Sequence, residues 1–95
     1  MLSEASPDQT QAIVARGRAF GESRLVCNVH WQSDVIEGRF MGAATAARLQ
    51  DEPEFLADLE AAKAELATAR AKGLPPQGDC KFEAAALAET PPQGP

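Results

Sequence analysis

Helix starts and stops divide this 95-residue chain into four segments, and the residues that mark them leave little room for any other kind of fold. Ser6 carries an N-cap side chain, Pro7 falls at the first helical position, and Gln9, three residues after Ser6, completes the pattern of a capping box. The first helix is expected to run from there to about His30. Gly17 and Gly21 weaken it in isolation, yet they allow a neighbouring helix to come close. Ser33 is the expected cap of a second helix from about Asp34 to about Gln50, in which Gly38, Gly42 and Ala46 form a stripe of small residues at i, i+4 and i+8. Pro53 opens a third helix to about Lys72, with Phe55, Leu59, Ala62 and Leu66 on its apolar face and Gly73 as its stop. Leu74 to Gly78 is a proline-broken turn, and Asp79 caps a last short helix through Leu87. The expectation is an all-α chain of about four helices, one unit over residues 1–89, with residues 90–95 as a disordered tail.

What those helices can bury is limited. The apolar residues are mostly alanine, and four Phe, one Trp and no Tyr make a thin core for an all-helical chain of this size. Stability is therefore expected to depend on helices outside this sequence. A net charge of −5, with no cluster of lysine or arginine, argues against a nucleic-acid partner. No window approaches the length of a membrane-spanning helix, so no membrane partner is expected, and the first residues lack the basic start and apolar stretch of a signal peptide.

The chemistry is concentrated in Ser23-Arg24-Leu25-Val26-Cys27-Asn28-Val29-His30-Trp31-Gln32-Ser33-Asp34, a pattern of the form S-R-x5-H-x3-D. It places an anion-binding arginine, a histidine able to act as nucleophile and a carboxylate able to orient that histidine in one short segment. In phosphoryl transfer, charge spreads over the equatorial oxygens of the transferred group, so planar cationic donors such as the Arg24 guanidinium are wanted beside an in-line nucleophile. His30 is the one histidine of the chain. A neutral imidazole can attack phosphorus if its other ring nitrogen is held as a donor, and Asp34 is the group placed to hold it. If the first helix is continuous, Arg24 lies about 9 Å along its axis from His30, a gap the arginine side chain can bridge. Ser23 is expected to support the helix or the arginine. The plain alternative is that His30 is a helix-end histidine on a half-buried face and Arg24 a solvated surface charge.

The same pattern resembles the third motif of the phosphatidic-acid phosphatase type 2 superfamily. Gly17-Arg18-Ala19-Phe20-Gly21-Glu22 before it and Val35-Ile36-Glu37-Gly38-Arg39 after it look like the bacterial class A non-specific acid phosphatases. The resemblance covers roughly Pro7 to Leu87 and has the order of the C-terminal third of such an enzyme. It implies hydrolysis of small-molecule phosphate monoesters through a phosphohistidine on His30, with Asp34 and Arg24 in the roles given above and Ser23 in support. It implies no metal and no cofactor, a periplasmic location, and a homo-oligomer as one option for the intact enzyme. Two further family motifs, K-x6-R-P and G-S-G-H-T, are not found in this sequence; in relatives they supply more phosphate donors and the acid for the leaving group. A chain with the third motif alone is expected to be inactive or nearly so. For an exported protein, Cys27 and Cys80 suggest a disulfide between the motif segment and the last helix, with two independent buried thiols as the other reading. The alternatives to a phosphatase are a vanadate-binding protein of the haloperoxidase type and a non-catalytic helical remnant or interaction module.

Overall fold

The computed structural model describes residues 1–89, and the expected disordered tail at 90–95 lies outside them. The described chain is all-α. A short helix α1 (Leu2–Ala5) and a 3-10 turn (Pro7–Gln9) lead into α2 (Thr10–Val26), α3 (Gln32–Leu49), α4 (Pro53–Ala71) and α5 (Cys80–Glu89). Among the described residues there is no strand, and no helix is long and apolar enough to cross a membrane.

Two of the helix stops have the same cause. α4 ends where Gly73 takes a left-handed conformation (φ 62°), so that the Gly73 and Leu74 amides turn back to the carbonyls of Arg70 and Ala69 at 3.0 and 3.4 Å. α2 ends the same way four residues before the expected His30. Asn28 adopts φ 58°, its amide bonds to Leu25 O at 2.9 Å, and the Val29 amide bonds to Arg24 O at 3.1 Å. Asparagine is among the few residues besides glycine that enter this conformation at low cost, and it stops the helix before His30 can join it.

Helix starts differ from expectation at two places. Ser6 does not cap α2; it sits in front of the 3-10 turn, where its hydroxyl donates to Asp8 Oδ1 at 3.2 Å and accepts from Arg70 Nη2. Ser33 is the second residue of α3 rather than its cap, a position held by Trp31. Asp79 does cap α5, accepting the Phe82 amide at 2.9 Å.

The N-terminal segment is fastened by polar contacts of long sequence reach. Arg70, in the last turn of α4, donates from Nη1 to Asp8 Oδ1 and Oδ2 at 3.1 and 2.9 Å, and Gln50 donates to Glu4 Oε1 at 2.7 Å. These bonds tie the 3-10 turn to α4 and α1 to the end of α3, while α1 packs on both α2 and α4, and Ser6 is the one buried residue described. Three of the four residues of the expected apolar stripe of α4 are partly covered: Phe55, Leu59 and Ala62 are half-buried, and Leu66 is 37 % exposed.

Elsewhere the helices are open. No apolar side chain is buried among the described residues, and Phe20, Val26, Trp31, Phe40, Met41 and Phe82 are all exposed. The accessible surface is 7710 Å². A compact protein of this mass exposes about 5300 Å². Helices of this length are marginal in water without tertiary burial. The Gly38 and Gly42 stripe has nothing against it, and neither has Gly17, whereas Gly21 does receive α3.

Two outcomes follow from this architecture. Thermal unfolding of the 95-residue chain followed by circular dichroism at 222 nm should be broad, with binding of an apolar dye such as anilinonaphthalene sulfonate before heating; a sharp transition without dye binding would contradict the open packing. The Arg70 hydrogen bond first, and its charge with it, holds the Asp8 carboxyl below its ordinary value of 3.8. A folded value below the unfolded one makes the Asp8–Arg70 contact fully present above the unfolded value and lost as pH falls through the folded one. A carbon-13 titration should place the Asp8 midpoint below 3.8, and Arg70→Ala should return it toward 3.8.

Candidate active site

The turn between α2 and α3 brings His30 and Asp34 together. Once Asn28 has reversed the chain, Trp31 enters extended backbone (φ −89°, ψ 151°) and α3 begins at Gln32. Asp34 is then the third residue of α3, where its carboxylate can reach back over the start of the helix. Oδ2 accepts the Trp31 amide at 2.8 Å, and Oδ1 lies 2.9 Å from His30 Nδ1. One side chain thus closes the helix start and fixes the imidazole. The positive end of the α3 dipole favours the Asp34 charge at this position.

The contact decides the tautomer. An ionised carboxylate only accepts hydrogen bonds, so Nδ1 carries the proton and the neutral ring presents its lone pair at Nε2. The His30 and Asp34 side chains are 52 % and 46 % exposed, so the pair faces solvent.

Arg24 and Ser23 form a second pair in the last turns of α2. The Ser23 hydroxyl donates to Phe20 O at 2.6 Å and accepts from Arg24 Nε at 3.3 Å. The guanidinium carbon stands 5.3 Å from the centroid of the Phe20 ring, a cation–π distance. A serine that bonds back to its own helix and an aromatic ring one turn earlier set the plane of the arginine fork. No side-chain hydrogen bond joins this pair to His30 and Asp34 among the described residues, and α2 is not continuous to His30, so the 9 Å helical spacing does not apply. The link is through the backbone: the carbonyl of Arg24 accepts the Val29 amide, the residue just before His30.

The remaining sequence candidates fall away from this centre. The disulfide between Cys27 and Cys80 is not formed, and the reading of two buried thiols does not hold either: both are free and exposed, Cys27 as the C-cap of α2 and Cys80 as the first residue of α5. Trp31 is 81 % exposed and serves the site through its backbone amide. Asn28 and Phe20 were not singled out from the sequence. Asparagine two residues after the last helical position was the signal available for the first, and the i, i+4 spacing of Phe20 and Arg24 for the second.

Comparison with known proteins finds relatives named acid phosphatase. The chain is 48 % identical over 66 residues to a non-specific acid phosphatase of Salmonella typhimurium, a match that covers 70 % of this chain and 26 % of that protein. It is 42 % identical over 67 residues to a non-specific acid phosphatase of Providencia stuartii, covering 70 % of this chain and 27 % of the relative. An acid phosphatase of Zymomonas mobilis is 40 % identical over 87 residues, covering 90 % of this chain and 33 % of the relative. No protein-family profile matches the chain, and no solved structure does. The class these matches define is acid phosphatase. Over the part that it spans, this chain is homologous to proteins named non-specific acid phosphatase, and that part is about a quarter to a third of the length of the curated relatives it matches.

Asp34→Ala should remove both contacts at once. The Trp31 amide is expected to exchange faster with solvent, α3 to lose about 1 kcal/mol of start stability, and the His30 ring to populate both neutral tautomers. Nitrogen-15 shifts of the two imidazole nitrogens check this, and an unchanged Nδ1–H tautomer in the variant would contradict the geometry.

Proposed function

We propose that Ser23 to Asp34 form the nucleophile half of an acid phosphatase site acting on phosphate monoesters through a phosphohistidine. The observation that carries this reading is the 2.9 Å contact from His30 Nδ1 to Asp34 Oδ1, which in the neutral ring puts the proton on Nδ1 and the lone pair on Nε2. The relatives named acid phosphatase support the reaction class.

In this reading the Nε2 lone pair attacks phosphorus in line with the ester oxygen. The P–N bond forms as the P–O bond breaks, and the departing electron pair stays on the alcohol oxygen, which takes up a proton. The phosphorylated imidazole is cationic, and the Asp34 carboxylate at Nδ1–H offsets that charge. Water then attacks phosphorus, the P–N bond breaks, and orthophosphate leaves with His30 restored. The Arg24 fork donates to non-bridging oxygens through both steps. The reaction so written draws on no metal and no cofactor.

The proton for the leaving alcohol has no source in His30, which is occupied as nucleophile. On the family resemblance it comes from the histidine of a motif that this sequence does not contain. The 95-residue chain alone is therefore expected to bind phosphate and to turn over esters little or not at all. The periplasm is the compartment proposed for the activity.

Replacing the matching 66 residues of the Salmonella typhimurium relative with those of this chain should give an enzyme that hydrolyses p-nitrophenyl phosphate. In that chimera His30→Ala should lower kcat by on the order of 10^3-fold or more. Asp34→Asn should cost about 10^2-fold or more through the wrong tautomer, and Arg24→Ala about 10^2-fold through the lost oxygen donors. Turnover retained in His30→Ala would overturn the assignment of the nucleophile.

A further inference from the structure

We propose that Arg39 is a second anion-binding side chain of this site, seated against α2 by the missing side chain of Gly21; the inference rests on the phosphatase reading above. Three of the six arginines are spoken for by carboxylates: Arg16 by Glu83 at 3.6 Å, Arg48 by Glu52 at 2.9 Å and Arg70 by Asp8 at 2.9 Å. Arg18, Arg24 and Arg39 have no carboxylate within ion-pair distance among the described residues, in a chain with 14 acidic side chains. Arg24 and Arg39 are the two of these whose guanidinium groups are held against one turn of α2. That of Arg24 stands over the Phe20 ring. That of Arg39 reaches across from α3 to Gly21, where an added Cβ would lie 3.3 Å from Nη2 and 3.9 Å from Nε.

The helices explain why the two meet. On α2, Gly21 and Arg24 are i, i+3 neighbours; on α3, Val35 and Arg39 are i, i+4 neighbours. Val35 directly follows Asp34, and its Cγ1 lies 3.2 Å from the same Gly21 position. The α3 turn that begins with the histidine-orienting carboxylate thus ends by placing a guanidinium on the α2 turn that carries Arg24. Two like charges gathered on one turn repel each other unless an anion joins them. A phosphate dianion presents several equivalent oxygens to planar donors, so it can engage both forks. Arg24 then takes oxygens on the α2 side of the group bound at His30, and Arg39 takes oxygens on the α3 side.

The test uses the 95-residue chain with sodium phosphate as the probe, followed by nitrogen-15 NMR of the His30 ring and of the arginine Nε–H groups. Phosphate should shift His30, Arg24 and Arg39 together. Arg39→Ala should weaken binding roughly 5- to 10-fold, and Lys72→Ala, which removes an equal charge at the end of α4, should change it less than 2-fold. Arg39→Lys keeps the charge without the fork and should fall between. Gly21→Ala, with helix content checked by circular dichroism, should weaken binding less than Arg39→Ala does, because the Cβ at 3.3 Å from Nη2 crowds the guanidinium without removing it. If His30 and Arg24 shift while Arg39 does not, or if Arg39→Ala and Lys72→Ala weaken binding equally, the role of Arg39 is overturned and the phosphatase reading stands. If phosphate shifts none of the three, the phosphatase reading fails and this inference with it.

Discussion

The two oxygens of Asp34 hold together what this chain has of a site. Oδ2 closes the start of α3 on the Trp31 amide, and Oδ1 fixes the His30 ring. Neither bond depends on buried apolar surface, and both arise between residues at most four apart. The site geometry can therefore persist where the rest of the chain is open. The same economy appears on the other side of the turn, where Ser23 and Phe20 hold Arg24 from within its own helix. Each functional side chain is oriented by a neighbour on its own helix or turn, and Asn28 sets the two halves relative to each other.

That local order contrasts with the lack of a core. With no apolar side chain buried among the described residues, the hydrophobic term that dominates most folds is small here. Helix propensity, caps and a few polar bridges carry a larger share, and single helices gain little from those alone. The bridges between Arg70, Asp8 and Ser6 are the main long-range fastening, and they lie at the opposite end of α2 from the histidine turn. Acid that protonates Asp8 therefore loosens the hold of α4 on the 3-10 turn.

The acid phosphatase relatives give the open surface a context. They are three to four times longer than the stretch they share with this chain, and they match the segment that carries the histidine turn. A segment that fixes its own histidine ring but leaves Trp31, Phe40 and Phe82 in solvent presents one open wall. In the proposed chemistry, that wall supplies attack and charge balance, while leaving-group protonation belongs elsewhere.

The sequence by itself determined whatever rests on contacts within a turn or two of helix. Pro53 and Gly73 bound α4, Asp79 starts α5, and the x3 spacing of His30 and Asp34 brings ring and carboxylate together, because the interactions responsible span three to five residues. The site pairing was legible for that reason, and so was the all-α class. The end of α2 was misplaced because the choice of Asn28 between helical and left-handed backbone is close in energy and is tipped by the hydrogen bonds of Val29 and Asn28 to the preceding turn. Only the tertiary structure decided that Ser6 faces Arg70 instead of capping a helix, that Cys27 and Cys80 stay apart, and that Arg39 lies against Gly21. Those outcomes depend on which helices cross and at what distance, and a helical pattern of alanine, glycine and scattered large side chains leaves that crossing undetermined until polar partners far apart in the chain meet.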